Sequence, residues 1–342
     1  MQKTNAGSKG KMKMYKNRII YAITYIWLIF MLLYGCQDSK QVRVLKGAHN
    51  FDQTHSVAKA YDFIAEYLAD ISGGRLLMAV YPNGQLGTDR ECLELLQIGS
   101  IDITKVSSGV LENFVPQFKV LGLPYIFRDK KHQFKILDGP IGRELLLAGE
   151  NYWLRGLGYY DSGSRSFYSK DIPIETPSDL RGLKIRTMES PTAMNMVKQM
   201  GGAATPISFG ELYTALQAGV VDGAENNPPS LYLTRHYEIC KYYSINEHTS
   251  LPDVLLISTH TWNSLTTQQQ AWLREAVDAS VVYQRKLWEE AEKYALEQLR
   301  KEGVKIIYPD KAPFIEIVEP LYRQYENESE IAELIKGIKE TK

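Results

Sequence analysis

Arg186 stands in the run Leu183-Lys184-Ile185-Arg186-Thr187-Met188, whose period-2 alternation reads as a short strand. Leu183 and Ile185 fall on one face, and Lys184, Arg186 and Met188 on the other. Ser190-Pro191 and a helical pattern follow, so the arginine lies near a strand-to-helix loop, at the strand's carboxyl end. That is where α/β sheets hold their ligands. A guanidinium presents a planar fork of donors that matches a carboxylate bidentately. The competing use is an ion pair with a carboxylate of the protein itself.

Other chemistry is harder to find. The six histidines (His49, His55, His132, His236, His248 and His260) are scattered, with no HExxH pair and no Cys/His cluster of metal spacing. There is no GxSxG elbow, no P-loop and no GxGxxG after the first strand. Paired carboxylates could still meet in space. On these absences catalysis is not expected, nor a cofactor or metal centre. The 40 basic and 40 acidic residues cancel. That excludes the basic excess of a nucleic-acid-binding surface.

The elements that would carry such a site alternate along the chain. "QVRVLKGA" reads as the first strand, "SVAKAYDFIAEYLADIS" as an amphipathic helix, and "RLLMAVYP" as the second strand. "TDRECLELLQIG" is a helix and "IDITKVSS" the third strand. After "YWLRGLGYYDSGSRSFYS" the pattern restarts with "LKIRT", a helix from Thr192 to Met200, and "AATPIS". Ser208, with Glu211 three residues on, reads as a capping box for the next helix, which Gly219 closes. The alternation predicts a largely parallel α/β layout in two similar series, and so two lobes. From Thr266, with Gln269 three on, a helical pattern runs without proline to about Lys301. Its length is about 50 Å, more than one lobe should need, so it is expected to serve both. A coiled-coil dimer is the alternative, which Ser280, Tyr283 and Trp288 spoil as a heptad.

Lys9, Lys11, Lys13, Lys16 and Arg18 precede the apolar run Ile19 to Leu33, which has the form of a secretory signal. Leu33-Tyr34-Gly35-Cys36 follows and resembles a bacterial lipobox, in which the cysteine is acylated and becomes the new N-terminus. An uncleaved anchor with a chance cysteine is the alternative. Cys92 and Cys240 remain. They could pair in an exported protein, but buried free thiols are the expectation.

Four motifs carry a wider resemblance: "YPNGQLGTDRECLELLQIGSID" (Tyr81 to Asp102), "LGLPYIF" (Leu121 to Phe127), "LRGLKIRTMESP" (Leu180 to Pro191) and "TPISFGELYTALQAGVVDGAEN" (Thr205 to Asn226). With them the chain resembles the extracytoplasmic substrate-binding proteins of TRAP (tripartite ATP-independent periplasmic) transporters, the DctP-type family, over nearly all of its mature length. The resemblance implies an α/β, two-lobed periplasmic-binding-protein-like fold, with the ligand cleft between the lobes and the long helix spanning both. It also implies these limits: 1–35 as signal peptide ahead of acylated Cys36, 41–161 plus about 251–285 as the first lobe, and 162–250 plus about 286–342 as the second.

By the same resemblance Arg186 binds the ligand carboxylate. Arg165, in "DSGSRSFYS", points into the cleft at the lobe boundary as a second arginine, with a hinge-region salt bridge as the alternative. Asn226 hydrogen-bonds ligand carboxylate or hydroxyl, with Asn227 beside it in "GAENNPPS", and Phe209 packs against the ligand, with a core aromatic as the alternative. On the first lobe, His49 and Asn50 of "GAHNFDQTH" should line the opposite wall, with Asp89 on the "GTDRE" loop. Lys105 shares a strand face with Ser107 and could add a cation. Ser107 stands where the sialic-acid branch has an acidic residue, which argues against that ligand. The expected ligand is a sugar acid, a hexuronate such as glucuronate or galacturonate or a related keto-sugar acid. A dicarboxylate or other organic acid, or a ligand-sensing lipoprotein, is the alternative. The implied partners are the TRAP membrane subunits and, through the lipid, a bacterial membrane, with an exported, extracytoplasmic location.

Overall fold

The computed structural model describes residues 42–342. The segment 1–35, expected as a signal peptide, and Cys36 lie outside the described residues. Eleven strands in two sheets form the framework among those residues. They are β1 (Arg43–Ala48), β2 (Leu76–Tyr81), β3 (Ile103–Ser107), β4 (Leu154–Tyr160), β5 (Arg165–Ser169), β6 (Lys184–Thr187), β7 (Ala203–Pro206), β8 (Gly223–Asn226), β9 (Tyr242–Thr249), β10 (Asp253–Ser258) and β11 (Lys305–Ile307). The first sheet has the order β2-β1-β3-β10-β4 and the second β11-β9-β5-β8-β6-β7.

The sheets are less parallel than the alternation predicts. β1 pairs parallel with β2 and β3, and β6 with β7 and β8. β10 runs antiparallel to both β3 and β4, and β5 antiparallel to both β8 and β9. The reason is the path of the chain. β5 and β10 each enter their sheet from the other lobe, so they start at the cleft, where the parallel strands end.

The long helix is Thr267–Lys301, capped by Thr266 with the expected box to Gln269. Its Leu273, Ala276 and Val277 belong to a core with β1, β2 and the Ser56–Ile71 helix. Its Leu299 belongs to the core of the second sheet, beside Leu212, Leu231 and Tyr243. One helix therefore serves both lobes, as its length predicts. At its middle, buried Gln284 clamps the crossover between β4 and β5. Its Oε1 accepts from the Asp161 amide at 2.8 Å, and its Nε2 donates to the Asp161 carbonyl at 2.8 Å.

Two local expectations are corrected. Ser208 does not cap a helix. The segment Phe209–Glu211 is a 3-10 turn, the helix proper is Leu212–Gln217, and the Ser208 hydroxyl donates to Glu211 Oε2 at 2.8 Å. The side chains bond each other, so neither reaches the backbone. The second correction concerns the chain's end, expected with the second lobe. The Ala312–Arg323 helix does pack there, through Phe314, Val318 and Leu321. The last helix, Ser329–Glu340, buries Ile331, Leu334 and Ile338 in the first-lobe core with Ile136 and Leu145. Cys92 and Cys240 are buried free thiols in separate cores. Burial pushes them up to about 11 and about 12.

Candidate functional site

The carboxyl ends of β1, β3, β6 and β8 converge on one cavity of about 330 Å³ between the lobes. This lies at the small end of the usual range for small-molecule sites. First-lobe residues lining it include Asn50, Phe51, Asp89, Lys105 and Ser107; second-lobe residues include Arg165, Arg186, Phe209 and Asn226. The lobes meet across it, with the Phe51 and Phe209 rings edge to face at 6.0 Å.

Arg186 is 2% exposed. Its Nε donates to the Ile207 carbonyl at 2.8 Å, which fixes the plane of the guanidinium, and its Cζ lies 6.0 Å from the Phe209 ring centre. Among the described residues no carboxylate comes within ion-pair distance of it. Burial of an uncompensated cation pulls its pKa down to about 10, so it stays charged at neutral pH.

Arg165 is arranged differently from its expected role as a second ligand-facing cation. Its Nε and Nη2 grip the Glu225 carboxylate at 2.5 and 2.9 Å, and Nη2 also donates to the Glu225 carbonyl at 2.7 Å. Its Nη1 donates to Asn226 Oδ1 at 2.7 Å. Four of its five N–H donors are spent on the protein, and it lines the cavity with its charge matched. Burial alone would raise the Glu225 pKa. The Arg165 guanidinium and His248, whose Nε2 sits 3.5 Å from Glu225 Oε2, override it and hold Glu225 at about 2. Neither Glu225 nor His248 was singled out in the sequence. Glu225 sits in the "GAEN" turn itself, but nothing local says that β8 lies beside β5.

Asn226 accepts on Oδ1 from Arg165 and from the Asn227 amide at 2.9 Å. The acceptor end is therefore committed, and the amide offers the cavity its Nδ2 donor. Asn227 lines the cavity but is occupied at both ends. Its Oδ1 caps the Pro228–Leu233 helix through the Ser230 amide at 2.8 Å, and its Nδ2 donates to the Ser162 carbonyl at 2.9 Å.

On the facing wall, His49 is 2% exposed and lies behind the lining, not in it. Its Nδ1 accepts from the Phe51 amide and its ring packs edge-on to Tyr61. Burial, with Lys105 nearby, pushes it down to about 4. Asn50 lines the cavity with a buried Oδ1 that has no partner. Lys105 is 2% exposed, with Nζ 3.6 Å from Asp253 Oδ2, 3.9 Å from Asp89 Oδ1 and 4.0 Å above the Phe51 ring. It lines the cleft as expected, but with its charge already met by two carboxylates. Phe51 was passed over in the sequence, and it forms a plate facing Phe209.

The bacterial extracellular solute-binding protein family 7 model, DctP, matches residues 47–328. Protein YiiZ of Salmonella typhimurium is 38% identical over 293 residues, 85% of this chain and 90% of that one. A TRAP periplasmic solute-binding protein from a Bradyrhizobium species, crystallised with D-galacturonate, superposes with a TM-score of 0.85 at 40% identity. The match covers 87% of this chain and all of that one. Another from Chromohalobacter salexigens, with bound D-glucuronate, gives 0.84 at 35% identity over 86% of this chain and 98% of its own. The α/β architecture, the interlobe cleft and the match over most of the length agree: this chain belongs to the DctP family of extracytoplasmic solute-binding proteins.

Proposed function

We propose that this protein captures a hexuronate, with glucuronate and galacturonate as the leading candidates, and delivers it to the membrane subunits of a TRAP transporter. The observation that carries this reading is the charge inventory of the cleft. Arg165 is matched by Glu225, and Lys105 by Asp253 and Asp89. Arg186 is the lining cation with no carboxylate partner among the described residues, and its terminal nitrogens hold no protein acceptor. Such a cleft suits one carboxylate and disfavours two, because a dicarboxylate would bury a second anion without a partner. The rest of the wall suits a sugar: the Asn226 Nδ2 donor for a hydroxyl, and the Phe209 ring for a C–H face. The uronates held by the two structural relatives have this chemistry.

In this reading the carboxylate docks bidentately on Arg186. Arg165 acts on the ligand indirectly, by presenting the Asn226 amide. Closure excludes water and is favoured by the ligand to the extent that it prefers the closed lobes. The first lobe is taken as 41–161 with about 251–285, and the second as 162–250 with the residues from about 286 up to the Ala312–Arg323 helix. Cys36 is proposed to be acylated, tethering the exported protein to a bacterial membrane. Mass spectrometry of the membrane-associated protein should find Cys36 as an acylated N-terminus, and an unmodified Cys36 or an uncleaved chain would overturn the tether.

A thermal-shift screen tests the ligand. Ligand at about 100 times its dissociation constant adds roughly 2.7 kcal/mol of stability. Glucuronate or galacturonate should raise the midpoint, while succinate and sialic acid should not. A response to succinate alone would reject the uronate reading.

A further inference from the structure

A second cavity of about 330 Å³ lies behind the ligand cleft, and it too is built by both lobes. Phe51, which lines the cleft, stacks flat on His55, with ring centres 3.8 Å apart and planes 4° from parallel. His55 in turn lines the second cavity. This aromatic pair stands between the two spaces, as does the Pro228–Leu233 helix, with Ser230 on the cleft side and Pro229 on the other.

The polar end of this cavity is the start of the 16-residue helix Ser56–Ile71. His55 caps that helix, its Nδ1 accepting from the Val57 amide at 3.2 Å. The ring proton is thereby placed on Nε2. His55 is 4% exposed, and among the described residues Nε2 has no partner. The Ser56 hydroxyl, on a residue also 4% exposed, has none either. Two buried donors without partners among the described residues stand at the positive end of a helix dipole, where an acceptor reaches them once the lining side chains shift to open them. Burial keeps the imidazole neutral, pushing it down to about 3. Lys59 and Glu290 stand at the mouth with opposite charges. The remaining wall is largely apolar: Pro229 and Leu233 come from the second lobe, and Leu287 and Ala291 from the long helix.

We propose that this cavity is a second ligand site, for a small carboxylate with an apolar body such as an aromatic or branched-chain acid. One carboxylate oxygen accepts from His55 Nε2–H and the other from the Ser56 hydroxyl, while the body lies on Pro229, Leu233, Leu287 and Ala291. Because the walls belong to both lobes, an occupant favours the conformation in which they face each other. In this structure that is the one with the cleft rings in contact. Coupling to the first site is then positive and reciprocal. The second site stands without the uronate reading, and only the coupling rests on it.

Phenylacetate is the probe, titrated into the exported protein by calorimetry. Binding is expected to persist when glucuronate saturates the cleft, and in Arg186→Ala. It should weaken about tenfold in Ser56→Ala, the loss of one hydrogen bond to a charged group. It should be lost in Ala291→Phe, which fills the space. His55→Asn, which keeps a good cap but removes the ring N–H, should weaken it by a similar factor. Saturating phenylacetate should tighten glucuronate by about fivefold or more. No binding at about 10 mM would overturn the site. So would phenylacetate competing with glucuronate or failing to bind Arg186→Ala, which would place it in the first cleft. Equal binding of neutral phenylacetamide would overturn the preference for an acid. If glucuronate fails to bind while phenylacetate binds as described, the uronate reading falls and the second site stands.

Discussion

Two arginines of the second sheet, both buried, are used in opposite ways. Arg165 is closed off by Glu225 and the Asn226 amide, while Arg186 holds only the Ile207 carbonyl and keeps its terminal nitrogens for the cleft. Arg186→Ala should therefore weaken uronate binding by about 2–5 kcal/mol, the usual loss when a buried charged hydrogen-bond partner is removed. Arg186→Lys should bind poorly too, because one ammonium cannot reproduce the fork. Full rescue by lysine in calorimetry would mean a simple point charge. Arg165→Ala should act on the fold first, since it leaves Glu225 buried and unpaired, at about 3–5 kcal/mol. The pH dependence follows from the sign of the Glu225 shift. Its folded pKa is lowered to about 2, so its stabilisation is present above the ordinary carboxylate range and is lost as the pH falls through about 2. In urea melts the gap between wild type and Glu225→Gln should be widest at neutral pH and narrow toward pH 3. A constant gap would contradict the pairing. The sequence made Arg186 legible because strand alternation and the following Ser-Pro place it without tertiary information. It left the Arg165 partner illegible, because that depends on β5 lying next to β8.

At the scale of elements, local signals were readable where a segment settles its own hydrogen bonds. The Thr266–Gln269 box closes as its spacing predicts, and the long helix runs to Lys301. Ser208 and Glu211 have the same spacing but bond each other, and the turn between them is 3-10. Thr266→Ala should thus lower stability by about 1 kcal/mol, and Ser208→Ala by less than about 0.5 kcal/mol, as at ordinary surface positions. Chemical denaturation of the two variants separates them, and equal losses would contradict the assignment. Strand direction was not readable. β5 and β10 are buried along their whole length, a pattern that carries no direction, and they are antiparallel because the chain crosses between lobes before each. His49 shows the same limit. It follows β1 at the expected place, yet its ring turns back onto Tyr61 and leaves Asn50 and Phe51 to form the wall.

For the whole molecule, the long helix and the Gln284 clamp on Asp161 tie two cores that are otherwise joined through crossovers, an arrangement suited to hinged closure. The last helix crosses back to the first lobe, which the sequence could not show because its apolar stripe fits any open face. The central claim is that the closed cleft recognises a single carboxylate through Arg186. The most direct test is calorimetric titration of the exported protein with glucuronate or galacturonate and with the matching neutral hexose. The account predicts one site per chain and uronate affinity at least about 30-fold above that of the hexose, the low end of the range for one buried charged pair. Equal affinity for the neutral sugar would contradict it.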